Sequence, residues 1–314
     1  MNRIMIPTPS DNSPKAPVPK RPAQRRGLTR RILLGGLGFG GLLGGAATGY
    51  ATEVEPLSLV VTSYRPRLPR WPVGRHLSVS VLADLHAGGP NMSAHHIRHI
   101  VDVANALTSD VIVLLGDYMA THRFVTERVS YEVWAQELGR LRAPLGVWAI
   151  LGNHDWWQGV ERVRRVFADV QIPVLENKAV QLGPNGRRFW LAGLGDQMAI
   201  PMARGKFKGV DDLPGTLARI DTDDPVILLA HEPDIFATVP DRVALTLAGH
   251  THGGQIRVPL MWERRVPSAF GARFAYGHIV EKQRHMIVSG GLGTSIVPVR
   301  LGVPPEIVRI DIGA

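Results

Sequence analysis

Aspartate, histidine and asparagine recur at one kind of place along this chain, immediately after a short apolar run. Residues 77–83 lead into Asp84-Leu85-His86, residues 111–115 into Gly116-Asp117, and residues 146–151 into Gly152-Asn153-His154-Asp155. Residues 226–230 lead into His231, and residues 244–248 into Gly249-His250-Thr251-His252-Gly253-Gly254-Gln255. In open α/β sheets the carboxyl ends of the strands form the ligand crevice. Five strand ends that bring oxygen and nitrogen donors to one edge predict a metal site. Asp84 and His86 are two residues apart, as are His250 and His252, so an extended chain would point each pair the same way. Any one motif has a plain structural reading, since a histidine at a strand end is often a hydrogen-bonding group. The whole ordered set does not.

The elements that must position these residues follow from hydrophobic periodicity. Strands are expected at 77–83, 111–115, 146–151, 188–194, 226–230 and 244–248. Helical spacing of apolar residues marks 93–107, 126–141 and 159–170. Later strands near 274–280, 285–289 and 307–312 follow one another without long helices, so the second half carries more β-hairpin. The fold class is α/β.

With these residues in view, the sequence resembles the calcineurin-like metallophosphoesterases over roughly residues 77–312. The tail from Gly290-Gly291-Leu292-Gly293 through Pro304-Pro305-Glu306-Ile307-Val308 is similar to the bacterial YkuE- and YaeI-type phosphodiesterase branch. The resemblance implies a two-sheet β-sandwich flanked by helices. It also implies that Asp84, His86, Asp117 and His252 hold one metal, and that Asp117, Asn153, His231 and His250 hold a second, with Asp117 bridging. Imidazole nitrogen with carboxylate and amide oxygen suits Mn, Zn or Fe better than Mg or Ca. Two such ions bridge a hydroxide for attack and clamp a phosphoryl group in line. By the same resemblance His154 protonates the leaving oxygen or stabilises developing charge, and Asp155 is expected to orient it. No substrate-binding residue is assigned, although Trp156 or Trp157 can wall the cleft.

Other residues invite chemistry without securing it. His95, His96 and His99 share a predicted helix, His122 and Arg123 follow Asp117, and His278 and His285 flank a hairpin. A solvated or packing role suits each of them.

The N-terminal segment accounts for most of the net charge of +9. Residues 1–31 hold eight basic residues and one acid, a balance of +7, so the domain is nearly neutral and no specific nucleic-acid binding is expected. Arg30-Arg31 precede an uncharged run from 32 to 49 in which eight of eighteen residues are glycine. This order reads as a twin-arginine signal, with export by that machinery and small-x-small spacing for cleavage after Ala51. Retention as an uncleaved anchor, with membrane association, is the alternative. The expected organisation is a signal at 1–51, a linker at 52–76 and a metallophosphoesterase domain at 77–314. With no cysteine in the chain, disulfides and thiolate ligands are excluded. The function expected is exported hydrolysis of phosphoric esters, chiefly diesters. Its rivals are a membrane-associated hydrolase of lipid-linked pyrophosphates and a non-catalytic scaffold.

Overall fold

Strand–helix units occupy the first half of the chain. In the computed structural model, which describes residues 45–257 and 266–313, β1 (Val60–Tyr64) is followed by β2 (Leu77–Leu82), α1 (Ala94–Ala106), β3 (Val111–Leu114), α2 (Tyr131–Leu138), β4 (Val147–Ala149) and α3 (Asn153–Asp169). The second half contributes β5 (Lys178–Leu182), β6 (Phe189–Gly193), a short ribbon of β7 (Ile200–Pro201) with β8 (Phe207–Lys208), and α4 (Leu213–Leu217). It ends with β9 (Val226–Leu229), β10 (Val243–Ala248), β11 (Gly277–Glu281), β12 (Arg284–Val288) and β13 (Glu306–Ile312).

Two sheets result, in the orders β1-β13-β2-β3-β4 and β11-β12-β10-β9-β6-β5. β2, β3 and β4 run parallel, as do β6, β9, β10 and β12. Alternation along each strand serves two cores at once. On β3, Val111 and Val113 pack with Leu191, Ile227, Leu229 and Leu247 between the sheets. Ile112 and Leu114 face the other way, onto Ile97, Ile100, Trp134 and Phe167 of the helices. The outer side of the second sheet is covered by Leu213, Ile235, Phe236 and Phe274. Both faces of the strands are therefore buried, which explains their nearly unbroken apolar runs.

Helix starts follow capping chemistry. The Ser93 and Ser130 side chains accept from the backbone N–H groups of His96 and Val133, opening α1 and α2. The helix expected at 126–141 accordingly begins only at Tyr131. The one expected at 159–170 begins earlier, at Asn153, with a break at Gly159 where φ is 121°.

The expected linker at 52–76 needs correction. Val60–Tyr64 pairs in parallel with Glu306–Ile310, forming the edge of the first sheet. Upstream, Glu55 is buried and accepts from the Val303 N–H at 2.7 Å, while the carbonyl of buried Ala51 accepts from the Arg300 N–H at 2.9 Å. These partners lie some 250 residues away, so no local pattern reveals them. The twin-arginine motif and most of the 32–49 run lie outside the described residues. Among the described residues, no helix is long and apolar enough to cross a membrane.

Candidate metal centre

The strands stop just short of the polar residues, and the chain then turns sharply. Asp84, His86, Asp117, His250 and His252 all have positive φ, between 44° and 69°. For residues with a Cβ this left-handed conformation is uncommon and collects at functional sites. It also corrects the reading from extended spacing: β2 ends at Leu82 and β10 at Ala248, so neither Asp84 with His86 nor His250 with His252 is aligned by a strand's alternation. These five donors converge because each leaves its strand end through a tight turn, while His231 follows β9 after Ala230 and Asn153 opens α3. Three strand ends come from the first sheet and two from the second, so the site joins the ends of both sheets rather than lining one edge.

Two donor groups form. Asp84, His86 and His252 make one, and Asp117, His231 and His250 the other, each with its ligand atoms within 4.8 Å of one another. Asp117 Oδ2 stands between them, 3.5 Å from His86 Nε2 and 3.3 Å from His231 Nε2. His86 Nε2 and His252 Nε2 are 3.1 Å apart, and His252 Nε2 lies 3.7 Å from Asp84 Oδ1. Asn153 Oδ1 is 3.1 Å from His250 Nδ1, which places the amide with the second group. All seven side chains are buried.

The surrounding hydrogen bonds set which ring nitrogens face inward. His231 Nδ1 donates to the Leu115 carbonyl at 2.6 Å, and His86 Nδ1 to the Met119 carbonyl at 3.2 Å, so each presents the lone pair of Nε2 to the centre. His231 Nε2 and His250 Nε2 have no hydrogen-bond partner although buried. His231 Nε2, which faces Asp117 Oδ2 at 3.3 Å, is a buried donor of the kind that fits a cation.

Electrostatics agree. Burial pushes His86 down to about 3 and holds His250 and His252 below the ordinary histidine range, favouring neutral rings. Burial raises Asp84 to about 7. Burial works against ionised Asp117 as well, yet His231, His154 and His86 together hold it well below the usual carboxylate range. Burial opposes a proton on His231, and Asp117 overcomes it. A cation bound by His231 and Asp117 would take the place of that proton, the usual competition at a site whose ligands must deprotonate.

His154 lies at the rim, with Nε2 3.9 Å from Asp117 Oδ2 and its ring 5.0 Å from that of Trp157. The expected orienting role of Asp155 is not what the contacts show. Asp155 Oδ2 accepts from the N–H groups of Asp117 and Gly152, and Oδ1 accepts from Tyr118. The carboxylate thus braces the loops that carry Asp117 and Asn153. His154 Nδ1 is instead hydrogen-bonded with Thr121 Oγ1, at 2.5 Å. Thr121 is 33 residues distant in sequence and outside any motif, so nothing local marks it.

Arg300 was likewise unmarked. It is fully buried, donates to the carbonyls of Gly290, Gly293 and Val303, and places Nη2 3.4 Å from His252 Nδ1. Asp196 and Glu232 form a third acidic group with His231. Burial, then Glu232, pushes Asp196 up to about 10. His95, His96 and His99 join none of these groups, Trp156 packs against the helical core under Arg164, and His278 meets His285 at 3.0 Å across the β11–β12 hairpin.

Several known proteins are similar to this chain. The chain is 27% identical over 272 residues to an uncharacterized metallophosphoesterase of Aquifex aeolicus, covering 84% of this chain and 95% of that one. It is 28% identical to the uncharacterized metallophosphoesterase YkuE of Bacillus subtilis, over 84% of this chain and 88% of that one. It is 31% identical to the phosphodiesterase YaeI of Escherichia coli, over 65% and 70%. The sequence pattern that defines the calcineurin-like phosphoesterases matches residues 77–254, from the start of β2 through the last donor loop. The chain belongs to the calcineurin-like phosphoesterase family and is a metal-dependent phosphoesterase.

Proposed function

We propose that this protein is an exported, two-metal phosphodiesterase. The observation that carries the metal count is the meeting of two donor groups at one carboxylate, Asp117. Asp84, His86 and His252 would hold one ion, and Asn153, His231 and His250 the other. Transition-metal ions there would supply Lewis-acid activation of water and of the phosphoryl oxygen.

The chain's own residues do the rest. Asp155 fixes the backbone of Asp117 and Gly152, and Asp84 accepts from the His250 N–H at 2.9 Å, so the donor loops hold one another. Thr121 holds His154 Nδ1, which leaves Nε2 at the open side to pass a proton to the leaving oxygen.

Preference for a diester rests on the cations. A monoester dianion calls for extra positive side chains, and no Arg or Lys occurs within the donor motifs. The guanidinium of Arg300, 3.4 Å from His252 Nδ1, is committed to backbone carbonyls. The phosphodiesterase name of the E. coli relative agrees with this reading.

The test compares kcat/KM for bis(p-nitrophenyl) phosphate and p-nitrophenyl phosphate with Mn, Zn and Fe. Turnover of the diester should equal or exceed that of the monoester. A monoester preference of about tenfold with every metal, some 1.4 kcal/mol, would overturn the diesterase reading. Export rests on Arg30-Arg31 ahead of the apolar run. Replacing both with Lys should leave the protein in the cytoplasm, and normal export of that variant would refute it.

A further inference from the structure

The ribbon between β6 and α4 is not needed to build the metal centre, yet it stands beside the proposed proton donor. Trp157 follows His154 by one turn of α3, its ring centroid 5.0 Å from the imidazole. Its Nε1 donates to the Met198 carbonyl at 3.0 Å, which fixes the indole against the loop leading to β7. On it lies Phe207 of β8, stacked at 5.4 Å with an interplanar angle of 18°. The aromatic pair thus runs outward from the residue that serves the leaving oxygen.

The ribbon's composition is unusual for a surface turn. Ile200, Met202 and Phe207 are 39%, 53% and 39% exposed. Phe207 shares a face of the ribbon with Pro201, against Trp157, while Ile200 stands with Lys208 on the other face, so the ribbon exposes apolar side chains on both sides, as binding surfaces do. The same nine residues, 200–208, contain Arg204, Lys206 and Lys208, all exposed, and no acid. The turn is closed by Met202 N–H donating to Lys206 O at 2.7 Å and by Arg204 at φ 61°.

We propose that Trp157 and the 200–208 hairpin form the subsite for the substrate's leaving group, and that this group is an apolar alkyl or aryl body bearing a second negative charge. This rests on the diesterase reading, whose substrate it narrows. Position supports it: His154 and Trp157 are in ring contact, so the group that departs with the proton from His154 leaves along the Trp157–Phe207 stack. Chemistry supports it too. The indole N–H is already used, so the stack offers bulk and flat apolar surface rather than a hydrogen-bonding edge, while the flexible cations suit an anion of variable position.

The experiment uses metal-loaded full-length protein and three methyl phosphodiesters whose phenols have similar acidity: phenyl, 4-octylphenyl and 4-(7-carboxyheptyl)phenyl, below their critical micelle concentrations. The octylphenyl ester should exceed the phenyl ester in kcat/KM by about tenfold or more, the scale of one or a few methylenes entering an apolar pocket. In Ile200→Ser/Met202→Ser/Phe207→Ser protein that ratio should fall to about threefold or less at unchanged metal content. In Arg204→Glu/Lys206→Glu/Lys208→Glu protein the carboxylated ester should lose most and the octylphenyl ester least. Equal kcat/KM for phenyl and octylphenyl esters in the wild type, with bis(p-nitrophenyl) phosphate still hydrolysed, overturns the subsite and leaves the diesterase reading intact. A preference that appears only above the critical micelle concentration also overturns it, assigning the hairpin to an aggregate surface. If no diester is hydrolysed the parent reading fails, and calorimetric affinity decides the subsite, with equal binding of phenyl and octylphenyl esters overturning it.

Discussion

Asp117 is the residue on which the proposed centre turns. Its carboxylate lies within 3.5 Å of His86 and His231, which belong to different donor groups. Asp117→Ala should therefore abolish binding of both metals, whereas Asp84→Ala should chiefly weaken one site. Elemental analysis of the purified variants checks this, and full metal content in Asp117→Ala would remove it as the bridge. His154→Ala should retain the metals and lower kcat by about 10²-fold, the scale of a lost general acid or charge stabiliser. Thr121 gives a finer test, since its hydroxyl is hydrogen-bonded with His154. Thr121→Val should cost about tenfold in kcat with metal content unchanged, as for other groups that orient a site residue. Retained kcat in that variant would show that the Thr121 contact does not orient His154.

At the scale of elements, the centre depends on loops that approach more closely than side chains allow. Gly152 ends the β4 segment and precedes Asn153, with an ordinary φ of −106°. A Cβ there would collide with Asp117 Oδ1 and come within 2.7 Å of His231 Cε1. Contacts under 3.0 Å with buried side chains force movement. Gly152→Ala should therefore displace both donors and remove metal while the sandwich stays folded. The check is metal content beside circular dichroism, and a fully loaded Gly152→Ala protein would refute the crowding account. The same close approach explains why glycine precedes the donors in three of the five motifs, a feature legible in the sequence. The left-handed turns at Asp84, His86, Asp117, His250 and His252 were not legible, because local propensity disfavours them and only the converging strand ends compensate.

Across the whole molecule, the buried charges couple stability to metal and pH. Without metal, Asp84 and Asp155 are raised to about 7 by burial and Asp196 to about 10, while His231 is raised well above its usual value. Groups raised on folding bind more protons in the native chain than in the unfolded one. The stability they provide is present at low pH and is lost as pH climbs through their folded values. His86, His250 and His252 are lowered, act in the opposite sense, and do so only below the unfolded value of about 6.5. Above about pH 6.5 only the raised groups remain, so chelator-treated protein should lose thermal stability between about pH 6.5 and 8. Metal at a thousandfold excess over its dissociation constant adds about 4 kcal/mol, or roughly 10 °C in Tm for a domain of this size. Thermal melts with and without chelator across that range check both statements. Unchanged Tm on chelation would mean that the donors are satisfied without ions.

By itself the sequence determined the alternation of strands and helices, the ordered donor set and the metal-dependent chemistry. These depend on periodicity and on residue type beside a strand end, and such information is local. The tertiary structure decided what depends on distant partners. It placed Val60–Tyr64, within the expected linker, at a sheet edge, because β1 pairs with β13 at the far end of the chain. It gave the orienting contact of His154 to Thr121 and turned Asp155 to the backbone, because three N–H groups from separate loops meet that carboxylate. It set the 200–208 hairpin beside Trp157 through the stack of Phe207 on the indole, a contact that no local pattern marks. Side-chain chemistry can be read one residue at a time, whereas which atoms face one another is fixed only when both sheets close on their shared core.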